Sequence, residues 1–171
     1  LQRYVTDLAI SQKRDCDYDN IYLLFPGEIN FLTNKSLIKY YKKYKGIKQF
    51  RIINPAPFSF NGIKNVASIL KSKKNNYKYF FVKYRINILH VHSLMGISKE
   101  LLCSAKELGV KIIFSTHDYY GLCPTINLFN YKNEQCSDYR DGLECFKCNF
   151  YATESKYLYI RTFQVFISKN L

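Results

Sequence analysis

The sequence predicts an α/β protein built on a Rossmann-like, doubly wound parallel sheet. Two short apolar segments, Ile88–Val91 and Val110–Phe114, have the composition of buried strands. Between them, Ile97–Leu108 carries apolar residues at helical spacing, and Gly109 stands where a helix commonly ends. A strand, a helix and a strand with short connections form a βαβ unit, whose two strands run parallel.

The residues before this unit predict further strands and helices. Pro26-Gly27 stops one strand, and the prolines at positions 55 and 57 stop another because proline cannot continue a ladder of hydrogen bonds. Gly46 is expected to end a helix. The predicted elements are a helix at 1–12, a strand at Ile21–Phe25, a helix at Leu37–Tyr44, a strand at Phe50–Ile53 and a helix at Ile63–Arg85 with a break near Asn75-Asn76.

The residues after the unit predict one long loop and one further helix. The segment 119–150 is rich in Cys, Asn and Asp and is expected to be a cysteine-rich loop inserted in the domain. The Tyr-rich segment Ser155–Ser168 has the pattern of an amphipathic helix. With 171 residues the chain is one domain, long enough to bury a core.

Positive charge is concentrated in the first half of the chain. There are 26 Lys and Arg against 13 Asp and Glu, which gives a net charge of +13. No carboxylate occurs between Glu28 and Glu100, while that interval holds 15 Lys and Arg. Such a stretch attracts nucleic acid, an anionic membrane surface or phosphorylated substrates. It is also the composition of an ordinary lysine-rich, solvated face.

Several classes of protein are disfavoured by what the sequence lacks. No apolar run approaches the roughly 20 residues of a membrane span, and the first residues do not have the form of a signal peptide. They are typical of the middle of a helix, so a fragment of a longer chain is expected. There is no Gly-rich dinucleotide loop, P-loop, nucleophile elbow or metalloprotease helix. A reduced, cytoplasmic setting is expected for the six cysteines.

Histidines follow both strands of the βαβ unit. His92 comes directly after one strand and His117 closely follows the next. Neighbouring strands lie about 5 Å apart, and the carboxyl ends of parallel strands line the ligand crevice. Either imidazole suits a sugar hydroxyl or a phosphate oxygen. His92 could instead cap the turn after it, and His90, on the same face of its strand, is expected to be buried and structural.

Two residues after His117 are candidates for substrate binding. Asp118 could orient His117 or bind a substrate hydroxyl, and it could equally be the N-cap of a following turn. Tyr119 completes the polar His-Asp-Tyr cluster.

Four cysteines in the loop have a spacing that suits a metal. Cys123, Cys136, Cys145 and Cys148 follow the pattern C-x12-C-x8-C-x2-C. A C-x2-C pair is the usual half of a tetrahedral zinc site, whereas the other half is more loosely spaced than in zinc fingers. A structural zinc ion would stabilise a loop too polar to pack alone. Disulfides, a redox role and plain thiols remain open alternatives.

Two segments carry a resemblance to a known family. Residues 88–94 (ILHVHSL) and 114–124 (FSTHDYYGLCP) resemble the amino-terminal domain of a family 4 glycosyltransferase, a retaining enzyme of the GT-B fold. Cys136 and the CFKC sequence at 145–148 are similar to the cysteine loop found in a subset of that family. The resemblance reaches the first helix, but its specific part is 86–148.

The resemblance implies a role for each site residue. His117 would contact sugar hydroxyls in the cleft as the catalytic residue, with His92, Asp118 and Tyr119 binding substrate. The acceptor would be a glycan or a lipid-linked sugar, as in cell-surface polysaccharide synthesis. The basic interval would suit a phosphate-bearing acceptor at the inner face of an anionic membrane, so peripheral membrane contact is expected and nucleic acid is not.

The resemblance also implies partners outside this chain. The family's first strand with its Gly-rich turn, and the carboxy-terminal domain that binds the nucleotide-sugar donor, are not in these 171 residues. The chain is therefore expected to be an incomplete, acceptor-side domain that is inactive alone. Two alternatives stay open: a zinc-stabilised module that binds nucleic acid, and an inactive truncated remnant.

Overall fold

The described residues of the computed structural model form a mixed α/β protein. They are residues 2–16, 18, 20–30, 32, 35–56, 74–119, 123, 125, 127–137 and 142–152. In chain order the elements are α1 (Gln2–Asp15), β1 (Tyr22–Pro26), β2 (Leu37–Tyr44), β3 (Ile47–Ile53), α2 (Lys74–Lys83), β4 (Ile88–Val91), α3 (Glu100–Glu107), β5 (Lys111–Phe114) and α4 (Leu143–Ala152).

The strands form two small sheets. A three-stranded sheet has the order β1-β3-β2, with β1 parallel to β3 and β2 antiparallel to it. A two-stranded sheet pairs β4 with β5 in parallel, from Ile88 opposite Lys111 to Val91 opposite Phe114. The predicted βαβ unit is therefore confirmed, whereas the first sheet is mixed rather than wholly parallel.

The predicted helix at Leu37–Tyr44 is wrong, because this segment is strand β2. Its aromatic residues recur at a spacing that suits a helix, but they pack across a hairpin instead. The Tyr40 ring lies 5.8 Å from that of Phe50, its partner on β3. Lys45 and Gly46 both have positive φ angles (46° and 80°), which matches the two-residue turns that join antiparallel strands.

One apolar core lies between the sheets and the helices α2 and α3. Aromatic residues of α2 recur every three or four positions and so face one side of the helix. The α3 helix ends where Gly109 adopts a φ of 69°, as the sequence predicts. The buried members of this core are Phe50, Ile52, Tyr77, Phe80, Phe81, Leu101, Ala105 and Val110.

Helix α1 lies on the side of the β4–β5 sheet away from that core. Side chains alternate along a strand, so Leu89 faces the core while His90 and His92 face the other way. The α1 residue Tyr4 contacts His92. At the far end of the helix, the Lys13 ammonium donates a hydrogen bond of 2.9 Å to the carbonyl of Gly46.

Three further sequence expectations meet a mixed outcome. Helix α2 begins at Lys74, with Asn75 and Asn76 in its first turn, and the residues on the other side of the expected break lie outside the described residues. The loop predicted at 119–150 is wrong at its end, because α4 begins at Leu143, after Gly142 with a φ of 91°. Residues 63–73 of the predicted long helix and the predicted helix Ser155–Ser168 lie outside the described residues.

Candidate functional site

The carboxyl ends of β4 and β5 bring two histidines into contact. His92 directly follows β4. Just after β5, the Ser115 N–H donates a backbone hydrogen bond of 2.9 Å to the carbonyl of Val91, so the two strands stay side by side to their ends. Nδ1 of His92 lies 3.0 Å from Nε2 of His117, and the rings stack with centroids 5.2 Å apart. The contact between the two strand ends that the sequence predicts is confirmed.

A third histidine extends the cluster. The His90 ring lies 4.0 Å from that of His92, as expected for residues two apart on one face of a strand. Its Nε2 is 2.8 Å from the hydroxyl of Ser115. His90 is half-buried rather than buried. His90 is therefore the innermost ring of the cluster, in contact with Ser115 on one side and with His92 on the other.

The cluster lowers the basicity of its own members. Burial lowers the pKa of His92 to about 4, with further contributions from the positive charges of His90 and His117. The pKa of His90 is also lowered, by burial and then by the charge of His117. His92 and His90 are therefore neutral at pH 7, and a neutral imidazole has one donor and one acceptor nitrogen.

This pairing fixes what the two rings offer to a ligand. If Nδ1 of His92 donates the hydrogen bond between the rings, then Nε2 of His92 is an acceptor. Nδ1 of a neutral His117 is in that case a donor. If Nε2 of His117 donates instead, Nδ1 of His117 is the acceptor and Nε2 of His92 is the donor. In both cases a neutral pair presents one donor and one acceptor, which is what a hydroxyl group needs.

Helix α1 contributes a contact that the sequence analysis missed. The Tyr4 ring lies edge-on to His117, with centroids 5.0 Å apart, and 6.1 Å from His92. An aromatic ring so placed narrows the approach to the pair from the side of α1. Tyr4 is 88 positions from His92 in the chain, and no local pattern signals such a contact.

Asp118 and Tyr119 lie next to His117 along the chain. The Asp118 side chain is half-buried and that of Tyr119 is exposed. The Tyr119 carbonyl accepts a hydrogen bond of 2.8 Å from the N–H of Cys123, so the cysteine-rich segment begins one turn beyond the histidines.

The four cysteines predicted to bind metal are free thiols. Cys123 and Cys148 are buried, and Cys136 and Cys145 are half-buried. Burial raises the pKa of Cys145, and the negative charges of the other three cysteines and of Glu144 raise it further. Within the described part of the chain, no three His, Cys, Asp or Glu side chains are arranged to hold a metal ion as they stand.

Comparison with known proteins leaves the family open. The chain matches no protein-family model, no curated protein and no solved structure. Among the residues that the structure describes, no helix is both long and apolar enough to cross a membrane.

Proposed function

We propose that this chain is the acceptor-side part of a retaining glycosyltransferase. The observation that carries the proposal is the hydrogen-bonded pair of His92 and His117 at the carboxyl ends of two parallel strands. Ligands of α/β sheets bind at this edge. The same residues lie in the two segments that resemble family 4 glycosyltransferases.

The fold in this proposal is the amino-terminal half of a GT-B enzyme. Support comes from β4, α3 and β5, which form a parallel βαβ unit. Among the described strands, β4 pairs only with β5 and β1 pairs only with β3, so the other edge of either strand would accept the family's additional strand. The resemblance assigns the nucleotide-sugar donor to a second domain.

In the proposed reaction the histidine pair binds a sugar hydroxyl. A hydroxyl that donates to one free ring nitrogen and accepts from the other is fixed in position and orientation. His117, the more exposed ring, would contact the transferred sugar, with Asp118 and Tyr119 beside it. Charge on the departing diphosphate would be stabilised by cationic residues of the second domain.

The test is sugar transfer by the complete polypeptide that the gene encodes. Sequencing outward from both ends of the coding region would define that polypeptide. Membranes from cells that express it are incubated with a panel of labelled nucleotide sugars, and incorporation into lipid-linked or polymeric product is measured. His117→Asn should reduce incorporation at least a hundredfold, because a positioned hydroxyl-binding group is lost.

The matched control is Lys111→Gln, because Lys111 is an exposed polar residue at the opposite end of β5. It should leave incorporation unchanged. If His117→Asn and Lys111→Gln have equal effects on a folded enzyme, the histidines do not bind substrate. If no nucleotide sugar is used, the enzyme proposal is wrong.

The hairpin of β2 and β3 suggests where the protein would bind its acceptor. Five lysines lie within it, at positions 39, 42, 43, 45 and 48, together with the exposed rings of Tyr40, Tyr41 and Tyr44. Among the described residues none of these lysines forms an ion pair with a carboxylate. Lys42 and Lys45 instead lie over neighbouring tyrosine rings, with Nζ 5.1 and 5.7 Å from the centroids.

Lysines beside tyrosines suit the headgroup region of an anionic bilayer. We therefore propose that this hairpin rests on the inner, cytoplasmic face of a membrane and brings a lipid-linked, phosphate-bearing acceptor to the site. Each lysine near such a surface contributes about 1 kcal/mol. Replacing Lys42 and Lys43 by alanine should weaken binding to anionic vesicles about thirtyfold, whereas replacing Lys106 and Lys111 should not.

Vesicle sedimentation at low and at physiological salt measures this binding. Equal affinity for neutral and anionic vesicles at low salt would end the membrane proposal. Salt-sensitive binding to a single-stranded oligonucleotide without binding to vesicles would favour the nucleic-acid alternative instead.

A further inference from the structure

Helix α1 holds a tyrosine against the histidine pair. Tyr4, near the start of the helix, contacts both histidines. Lys13, near its end, donates a hydrogen bond of 2.9 Å to the carbonyl of Gly46 in the turn between β2 and β3. Tyr4 and Lys13 are nine positions apart, which is about 14 Å along a helix, and Ala9 between them is buried. The helix is therefore held at both ends and in the middle, so the Tyr4 ring has a fixed place beside the pair.

The Tyr4 ring stands at a steep angle to both imidazoles. The ring planes of His92 and His117 are 28° apart, whereas the plane of Tyr4 makes an angle of 72° with the first and 64° with the second. Tyr4 is nevertheless 53% exposed. Contact with the two imidazoles thus leaves much of the Tyr4 side chain accessible to a ligand.

The three rings together offer the two kinds of contact that a sugar makes. The histidine pair presents one hydrogen-bond donor and one acceptor, which suits a single hydroxyl. An aromatic ring has a negative face, whereas the C–H groups on the faces of a pyranose ring carry a small positive charge. Binding sites for small molecules commonly combine an aromatic wall with a few polar groups that fix the orientation of the ligand. Stacking against Tyr4 would therefore add to the affinity for a pyranose that the pair binds through one hydroxyl.

We propose that Tyr4 is a specificity-determining residue of this site, whose ring stacks on the C–H face of the sugar that His92 and His117 hold. Pyranoses are then favoured over linear polyols, which offer the same hydroxyl groups but no flat apolar face. The role of Tyr4 rests on the proposed function, because a sugar is the ligand in both. Unlike the transfer reaction, it can be measured by binding alone.

Binding of simple saccharides to the complete polypeptide tests this role. The probes are the methyl pyranosides of glucose, galactose, mannose and N-acetylglucosamine, with sorbitol as the linear polyol, and ligand-observed NMR measures their dissociation constants. The best-bound pyranoside should bind the wild-type protein at least about tenfold more tightly than sorbitol does. Tyr4→Leu should abolish that preference, because leucine keeps an apolar side chain but lacks the flat ring. Tyr4→Phe should retain the preference, and so should Tyr79→Leu, which removes an exposed ring of α2.

The outcomes separate the role of Tyr4 from the transfer reaction. If no nucleotide sugar is used but Tyr4→Leu abolishes the preference for a pyranoside, the transfer proposal is wrong and the role of Tyr4 stands. If sugar is transferred but Tyr4→Leu keeps the preference, Tyr4 does not contact the sugar and the transfer proposal stands. If Tyr4 only packs α1 in place, Tyr4→Leu should weaken the binding of pyranosides and sorbitol equally, which overturns its role in specificity. That role is also overturned if the wild-type protein binds no pyranoside more tightly than sorbitol, a result that needs no variant.

Discussion

His92 should remain neutral in mildly acidic solution that protonates an ordinary histidine. Its pKa is lowered from 6.5 to about 4 by burial and by the charges of His90 and His117. The ratio of neutral to protonated ring changes tenfold with each pH unit. At pH 5 His92 is therefore neutral in about ten molecules for each one protonated, while an ordinary histidine is protonated in about thirty for each one neutral.

Protonation of His92 also changes the pair it forms with His117. When the His92 ring is charged, both of its nitrogens are donors, so this ring no longer offers an acceptor to a ligand hydroxyl. Hydroxyl binding by the pair is thus expected to weaken as the pH falls toward 4.

The effect on stability has a definite sign. As the pH falls through 6.5 the unfolded chain takes up a proton at His92, whereas the folded chain does so near pH 4. Since the unfolded state binds more protons between these values, the free energy of unfolding decreases as the pH falls through this interval. The contribution of His92 to the free energy of unfolding is complete above its ordinary pKa of 6.5 and is absent below its pKa of about 4 in the folded chain.

Ring nitrogen and proton shifts measured by NMR during a pH titration test this prediction. The His92→Gln variant identifies the resonance. His90→Gln should raise the pKa of His92, because it removes a neighbouring positive charge, and Lys111→Gln at the other end of β5 should not change it. A wild-type midpoint near 6.5 would refute the burial and charge argument. A midpoint that His90→Gln leaves unchanged would refute the part assigned to His90.

Two further predictions concern the fold. Phe50→Ala should lower the free energy of unfolding by about 3–5 kcal/mol, because the Phe50 ring is 2% exposed and its centroid lies 5.0 Å from that of Phe80. Tyr79 is 65% exposed, so Tyr79→Ala should change the free energy of unfolding by less than about 0.5 kcal/mol. Gly109→Ala should cost about 1 kcal/mol through its φ of 69° alone, since no atom lies within 4 Å of the added Cβ, and Gly109→Asn should cost less. Urea denaturation measures both, and equal losses within either pair would contradict the reasoning.

The βαβ unit could be predicted because its signals are local. The apolar runs of β4 and β5, and the spacing of Leu101 and Ala105 on α3, are each visible within a few residues. The general rule that parallel strands end at one edge then placed His92 beside His117 without any distant contact being known.

The cysteine-rich segment could be predicted only in part. The C-x2-C spacing of Cys145 and Cys148 is typical of a metal half-site, but no local signal indicates the helix that carries them. The hairpin before Cys136 depends on turn residues such as Leu128 and Asn133, which adopt positive φ angles of 61° and 63°. Those conformations are not evident from residue type, least of all for leucine.

The sequence by itself determined the α/β class, the parallel pairing of β4 with β5 and the position of the histidines at their ends. Tertiary structure alone decided that Leu37–Tyr44 is a strand and that Tyr4 packs against His117. The physical reason is the same for both. Spacing along the chain shows which residues would share a face of a helix or of a strand. Whether the segment becomes a helix or a strand, and which residues cover that face, depends on residues far away in the sequence.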